Sequence, residues 1–304
     1  MNFVSNMISL QLTLFCLMLI GIVLKKLGIL TPAARASFSD MLVNIILPCN
    51  TINSFLGGIS ATPELMKSCI LAVVISAVIQ GVSIFTKPLF RKMSPDEQRI
   101  CTYGMIVSNS SYIGLPIAEA LYGPLGIMFT SIFQIPIRLT MWTSGLAQFT
   151  VTEKKGMFRK LITHPCIVAL IIGFLLLIFP VKLPAFLSKT ILTVSRCTTP
   201  VSMFVIGSIL ADTDVKTIIS WKTLYFSFLR LIAFPLLVWL VLKPFGLDPM
   251  LLSIAVILTA MPAGSLTSIL ADKYHMDSEF ASKMVFVSTL LSMVTVPLFG
   301  LILD

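Results

Sequence analysis

Charged residues are scarce in this chain, 12% of 304, where a soluble domain carries about 25%. Together with 57% hydrophobic residues and a mean hydropathy of +0.99, this excludes an ordinary soluble protein and leaves a polytopic helical membrane protein. The ten-residue alternating pattern of a β-barrel is missing. Instead the apolar runs last roughly 20 residues, the length a helix needs to cross a bilayer. No polar stretch between them is long enough for a soluble domain; the longest are 87–99 and 150–163.

Other absences narrow the chemistry. The six cysteines (Cys16, Cys49, Cys69, Cys101, Cys166, Cys197) show no CxxC spacing and lie in apolar runs, which suits buried thiols better than disulfides or a metal site. His164 and His275, the only histidines, sit at loop edges, too far from any Cys cluster to suggest a ligand set. No Ser–Lys or Asp–Asp pairing stands out at membrane depth, so an enzyme is not expected, nor a cofactor. No Lys or Arg precedes residues 7–24 and no small-residue cleavage site follows, so this run reads as a first span, not a cleaved signal peptide. The net charge of +9 does not imply nucleic acid, because the basic residues fall mostly in short loops between apolar runs.

Ten hydrophobic spans are expected, near 7–27, 36–58, 65–86, 99–121, 124–149, 162–180, 184–210, 218–242, 249–271 and 278–303. Fifteen Lys and Arg residues fall in loops after odd-numbered spans, and only Lys67, Lys182, Lys189 and Lys243 after even ones. The excess puts the odd loops in the cytoplasm and both termini outside the cell (inner) membrane.

Two spans carry helix-breaking interruptions. The first is Ser108-Asn109-Ser110-Ser111-Tyr112-Ile113-Gly114-Leu115-Pro116, the second Ala260-Met261-Pro262-Ala263-Gly264-Ser265. Non-helical backbone survives at that depth only when buried in protein or lining a wet cavity. Paired broken spans in corresponding positions point to the substrate site of a secondary transporter. Landmarks repeat at an offset of half the 304-residue length: Pro48 with Pro200, Tyr122 with Tyr274, and the break near Ser110 with Pro262. The chain therefore divides into a first five-helix unit, 1–149, a short cytoplasmic linker, 150–161, and a second unit, 162–304, inverted by the odd span number. Half-helices opening near Leu115-Pro116 and Gly264-Ser265 would aim backbone N–H groups and a partial positive charge at the bilayer midplane, suited to a carboxylate. Asn109, Ser110, Ser111 and Ser265 add side-chain donors.

Three arginines, Arg138, Arg196 and Arg230, lie inside spans, where a charge is costly. Arg138 shares a face with Gln134 and Ser131 and is the best anion contact. Arg196 either joins it or pairs with Asp40 or Asp212, and Arg230 either does so or snorkels to the cytoplasm. Glu119 is the candidate for carrying a proton, or a partner of Arg138. Asn50, with Asn44, Asn53 and Ser54, flanks Pro48 and is placed to bind substrate or to satisfy its own helix. Ser288, Ser292 and Thr295 form a stripe that either lines the path or glues helices.

Asn109-Ser-Ser-Tyr-Ile-Gly-Leu-Pro116 and Asn44-Ile-Ile-Leu-Pro48 resemble motifs of the auxin efflux carrier family. So does the run Met261-Pro262, Ala271-Asp-Lys-Tyr274, Asp277, Ala281-Ser282, Ser288-Thr289, Pro297. That family includes the auxin carriers of plants and the malate and malonate permeases of bacteria. The resemblance covers nearly the whole chain. It implies ten transmembrane helices as a five-plus-five inverted repeat, similar to bile-acid symporters, with broken helices 4 and 9 crossing at the substrate. Spans 1, 2, 6 and 7 would be scaffold, spans 3–5 and 8–10 the moving unit, and a homodimer is implied. The short central loop is similar to that of the bacterial members, and no Asn accompanies Pro262 at the second break.

The expected function is a permease for small organic anions such as malate. The substrate contacts would come from Asn109, Ser110, Ser111, Tyr112, Gly114, Pro116, Gln134, Arg138, Arg196, Pro262, Gly264, Ser265 and Asn50. The coupling ion, H+ or Na+, stays open. The alternatives are an exporter of amino acids or auxin-like weak acids, and a non-cycling sensor or channel.

Overall fold

The computed structural model describes residues 3–56, 62–149, 163–179, 183–211 and 219–303, the side chains of 3–8 and 11 excepted. The helices, in order, are α1 (Phe3–Lys26), α2 (Pro32–Met41), α3 (Leu47–Leu56), α4 (Pro63–Ile84), α5 (Pro95–Ile106), α6 (Leu115–Thr140) and α7 (Pro165–Ile178). The later ones are α8 (Ala185–Ser195), α9 (Thr198–Leu210), α10 (Trp221–Phe228), α11 (Phe234–Leu242), α12 (Pro249–Thr259), α13 (Leu266–Lys273) and α14 (Ser278–Leu303). Among the described residues five stretches are long and apolar enough to cross a bilayer: Pro63–Phe90, Ser110–Gln148, Ala185–Leu210, Trp221–Phe245 and Ser278–Leu303. Pro165–Ile178 and Pro249–Thr259 are shorter apolar helices. The linker at 150–161, and with it Lys154, Lys155, Arg159 and Lys160, lies outside the described residues, as does Asp212.

The helix starts are written in the sequence. Proline opens α2, α4, α5, α7 and α12, where its missing N–H costs nothing. Thr31, Thr62, Ser94 and Asp248 cap the turns that follow four of them, each satisfying an orphan N–H. At α5 the cap is reciprocal: Glu97 N–H donates to Ser94 Oγ at 3.3 Å, and Ser94 N–H to Glu97 Oε2 at 2.9 Å.

Among the described residues several span interiors depart from simple helices, with further π-turns at Met141–Gly145 and Leu229–Ala233. Span 2 does not break at Pro48; it widens into a π-turn over Leu42–Ile46 just before it, which relieves the proline clash without ending the helix. Span 7 kinks at Arg196–Cys197, between α8 and α9, and Pro200 follows in the first turn of α9. α6 is two helices joined at Gly123, whose φ of 56° and ψ of −140° only glycine adopts readily.

Two helices from different halves touch backbone to backbone. A Cβ on Gly207 of α9 would sit 2.0 Å from the Met18 carbonyl oxygen of α1, and one on Gly21 would sit 2.5 Å from that of Phe204. Small residues are what permit such close helix approach in a bilayer.

Candidate functional site

The first break is shorter than its sequence suggests. Only residues 107–109 leave the helix; Ser110–Gly114 already form a π-turn that runs into α6. The second break spans 260–265, between α12 and α13. The two cross as a miniature antiparallel ladder: Asn109 N–H donates to the Pro262 carbonyl at 2.8 Å, and Gly264 N–H to that of Val107 at 2.9 Å. Ser288 Oγ accepts from Ala263 N–H at 3.4 Å.

That pairing corrects two expectations. The Gly264 N–H is spent on Val107, and the Gly114 N–H turns back to the Asn109 carbonyl at 3.5 Å, so neither is a free donor for substrate. The N–H groups that the first half-helix leaves without an intrahelical partner are those that open its π-turn; the Leu115 N–H donates to the Ser110 carbonyl, and Pro116 has no N–H.

Arg230 is corrected as well. It does not snorkel: it is buried, and its Nε donates to the Met261 carbonyl at 2.9 Å while Nη1 donates to Met105 at 2.8 Å. It thus caps the helix ends feeding both breaks, where orphan carbonyls carry partial negative charge. Sequence alone offers no signal for this partnership.

The polar cluster lies beside the crossover, among α3, α6 and α7. Gln134 Oε1 accepts from Ser111 Oγ at 2.8 Å and from Arg138 Nη2 at 2.9 Å. Because its oxygen faces a guanidinium, the amide orientation is fixed, and Gln134 Nε2 is left buried without a partner among the described residues. Arg138 Nη1 stands 3.0 Å from Nδ1 and 2.9 Å from Nε2 of His164. Leu47, Thr51, Leu115, Ser131, Gln134, Arg138, Cys166 and Ile167 enclose a cavity of about 10 Å³, room for about one water.

A second polar group sits one turn away. Asn50 is buried and donates through Nδ2 to Thr198 Oγ1 at 3.0 Å and, at 3.5 Å, to Glu119 Oε2. Asn50 Oδ1 has no partner among the described residues. Thr51 and Ser131 hydroxyls lie 3.3 Å apart. Glu119 is therefore linked to Asn50 rather than Arg138.

The structure brings Ser111, Gln134 and Arg138 into one group, with Asn109 and Ser110 buried at the crossover beside it. Tyr112 packs against Leu47, Leu115, Ile127 and Cys166, Pro262 serves the ladder, and Ser265 is half-buried at the start of α13. Arg196 does not join: it is exposed at the end of α8. Asn44 is exposed and bonds to the Asp40 carbonyl in its own helix. Ser288 and Ser292 bond to carbonyls of α14. Sequence reading missed Thr51, Thr198 and above all His164, whose place at a loop edge hid that it caps α7 and faces Arg138.

The two broken helices thus cross beside a buried arginine. A family model described as "Membrane transport protein" matches residues 7–300, and the chain belongs to that family, the auxin-efflux-carrier-like transporters its motifs resemble. It is a multi-pass membrane protein. It is 24% identical to an uncharacterized transporter of Methanothermobacter thermautotrophicus over 299 residues, covering 96% of this chain and 97% of that one. An uncharacterized transporter of Methanocaldococcus jannaschii is 21% identical over 306 residues, 96% and 97% covered. A Rhizobium meliloti protein named "Putative malonate transporter" is 24% identical over 306 residues, covering 96% of this chain and 94% of its own.

Proposed function

We propose that the chain is a secondary transporter of small dicarboxylates, of malonate or malate size, working by alternating access at the crossover. One observation carries this: the Arg138 guanidinium and the unpartnered Gln134 Nε2 border one small cavity. An arginine paired with a free amide donor is a carboxylate receptor, and a buried orphan N–H is costly until a ligand meets it. The name of the Rhizobium relative points to the same substrate class.

The cavity is too small for a dicarboxylate in this state, so substrate enters only when α6 parts from α3 and α7. The ten-span, five-plus-five inverted repeat supplies that motion. Its support comes from the backbone: Gly123 and His275, with φ of 56° and 55°, are two of four described residues with positive φ. They lie at the same half-length offset as the sequence landmarks, each just past a broken span. No cofactor is needed; lipid and a second copy of the chain are the remaining partners, in a cell membrane with both termini outside. An exporter of amphipathic weak acids fits less well, since an apolar cavity without an arginine would be its mark.

Reconstituted protein tests this. Proteoliposomes should accumulate labelled malonate or malate and exchange it saturably for unlabelled acid. Failure to move malonate, malate, succinate or lactate under any imposed gradient overturns the substrate assignment, and single-channel currents would favour the channel reading.

A further inference from the structure

We propose that His164 takes up one proton with each dicarboxylate and gives it back on release, making the carrier a proton–anion symporter. This rests on the site proposed above, and begins with charge. A dicarboxylate brings two negative charges into a protein interior, where an uncompensated charge is expensive. The cavity offers a single guanidinium, Arg138. Arg196 is exposed elsewhere, and Arg230 is committed to the carbonyls of Met105 and Met261. The second cation has to come from a group that is neutral in the empty state.

His164 meets that requirement. Arg138 Nη1 stands 3.0 and 2.9 Å from the two ring nitrogens, so a cation already lies against the ring and opposes a second positive charge there. The near-equal distances set Nη1 across the ring rather than along one lone pair, a contact that an imidazolium would repel. Nδ1 accepts the Cys166 N–H at 3.3 Å, which places the proton of the neutral ring on Nε2.

A carboxylate arriving at Arg138 competes for Nη1 and draws it off the ring. The freed imidazole then stands beside the second carboxylate, with its neighbouring cation neutralised, and binds a proton from water on the loading side. Arg138 and His164 now carry two positive charges against two negative ones. When the anion leaves, Arg138 returns to the ring and the proton passes to water on the far side. No other bond changes.

The remaining ionisable groups nearby do not replace it. Cys166 lies on the same helix, and Tyr112, from the π-turn, feels Arg138, Cys166 and Asp40. Glu119 bonds to Asn50, whereas His164 stands directly against Arg138.

Calorimetric titration of the purified carrier with malonate, in buffers of different ionisation enthalpy at pH 7.5, counts the protons taken up on binding. The expected result is one proton per malonate for the wild type and for Glu119→Gln, and none for His164→Gln, which binds malonate more weakly. Proteoliposomes carrying an internal pH dye should acidify as malonate enters. Malonate binding or transport by wild type without proton uptake overturns the symport. So does uptake lost in Glu119→Gln and kept in His164→Gln. If His164→Gln does not bind, the wild-type proton count decides alone. Absence of any malonate binding by wild type instead sinks the substrate reading on which this rests.

Discussion

Arg230 Nη1 donates to the Met105 carbonyl at 2.8 Å, and the same guanidinium reaches Met261, so one side chain ties the helix ends on both sides of the crossover. The buried charge is held by backbone dipoles rather than by a carboxylate. It ties α5 and the second break to the π-turn Leu229–Ala233 that joins α10 to α11.

Replacing Arg230 by Met should therefore be severe. Each buried carbonyl left unpaired costs ~1–3 kcal/mol, and both ends of the crossover lose their cap. Thermal unfolding in detergent should show a clearly lowered midpoint, with Arg230→Lys only partly restoring it. A midpoint equal to wild type would show that the clamp does not hold the crossover.

Gln134→Leu removes the orphan donor and the acceptor that orients Arg138. A hydrogen bond to a charged group contributes about 1.5–3 kcal/mol, so malonate affinity should fall roughly ten- to hundred-fold. Titration of the purified variant measures it.

Arg196→Gln should leave malonate uptake within roughly twofold of wild type, since an exposed surface charge contributes little to a buried site. Its exposure at the end of α8 separates it from Arg138. A large loss of uptake would restore it to the mechanism.

Lys222 Nζ meets both carboxylate oxygens of Glu97, at 2.7 and 2.8 Å, in the first turn of α5. Burial raises the Glu97 carboxyl, but the Lys222 and Ser94 hydrogen bonds and the Lys222 charge outweigh it, holding it below the usual carboxylate range. The stabilisation is thus present above the unfolded-state value, about 4.3, and is lost as pH falls through the lower folded-state value. Melting curves from pH 7 down to the acid limit should show this slope weakened in Glu97→Gln.

Gly207→Val should force α1 and α9 apart, since even a Cβ there would overlap the Met18 carbonyl. Overpacking of this kind costs about 1–3 kcal/mol or more, and thermal unfolding should register it. Gly81, with open space around it, should accept Ala without such a loss.

Hydrophobic runs, helix-opening prolines and the two broken segments were all legible in the sequence, because length, cap chemistry and missing N–H groups are local properties. Among the described residues, five of the expected stretches hold helices long and apolar enough to cross a bilayer, and two shorter apolar helices accompany them. The rotation of each helix is not local. It decides that the face shared by Gln134 and Arg138 turns to α3 and α7 while Arg196 faces outward, and that His164 turns to an arginine rather than to water. Backbone donors were misjudged for a related reason: Gly264 looked free until its partner, Val107, arrived from the other half of the chain.

The ladder joining Ser108 to Ala263 also imposes an order on biosynthesis. The ribosome delivers the end of α5 to the membrane long before residue 263 exists. Until then the Val107 carbonyl and the Asn109 N–H have no partner at a depth where lipid offers none, so that end must stay wet or sheltered by the insertion machinery. Termination anywhere before the second break would leave a fragment that inserts its spans yet cannot close its centre, a natural target for quality-control proteases.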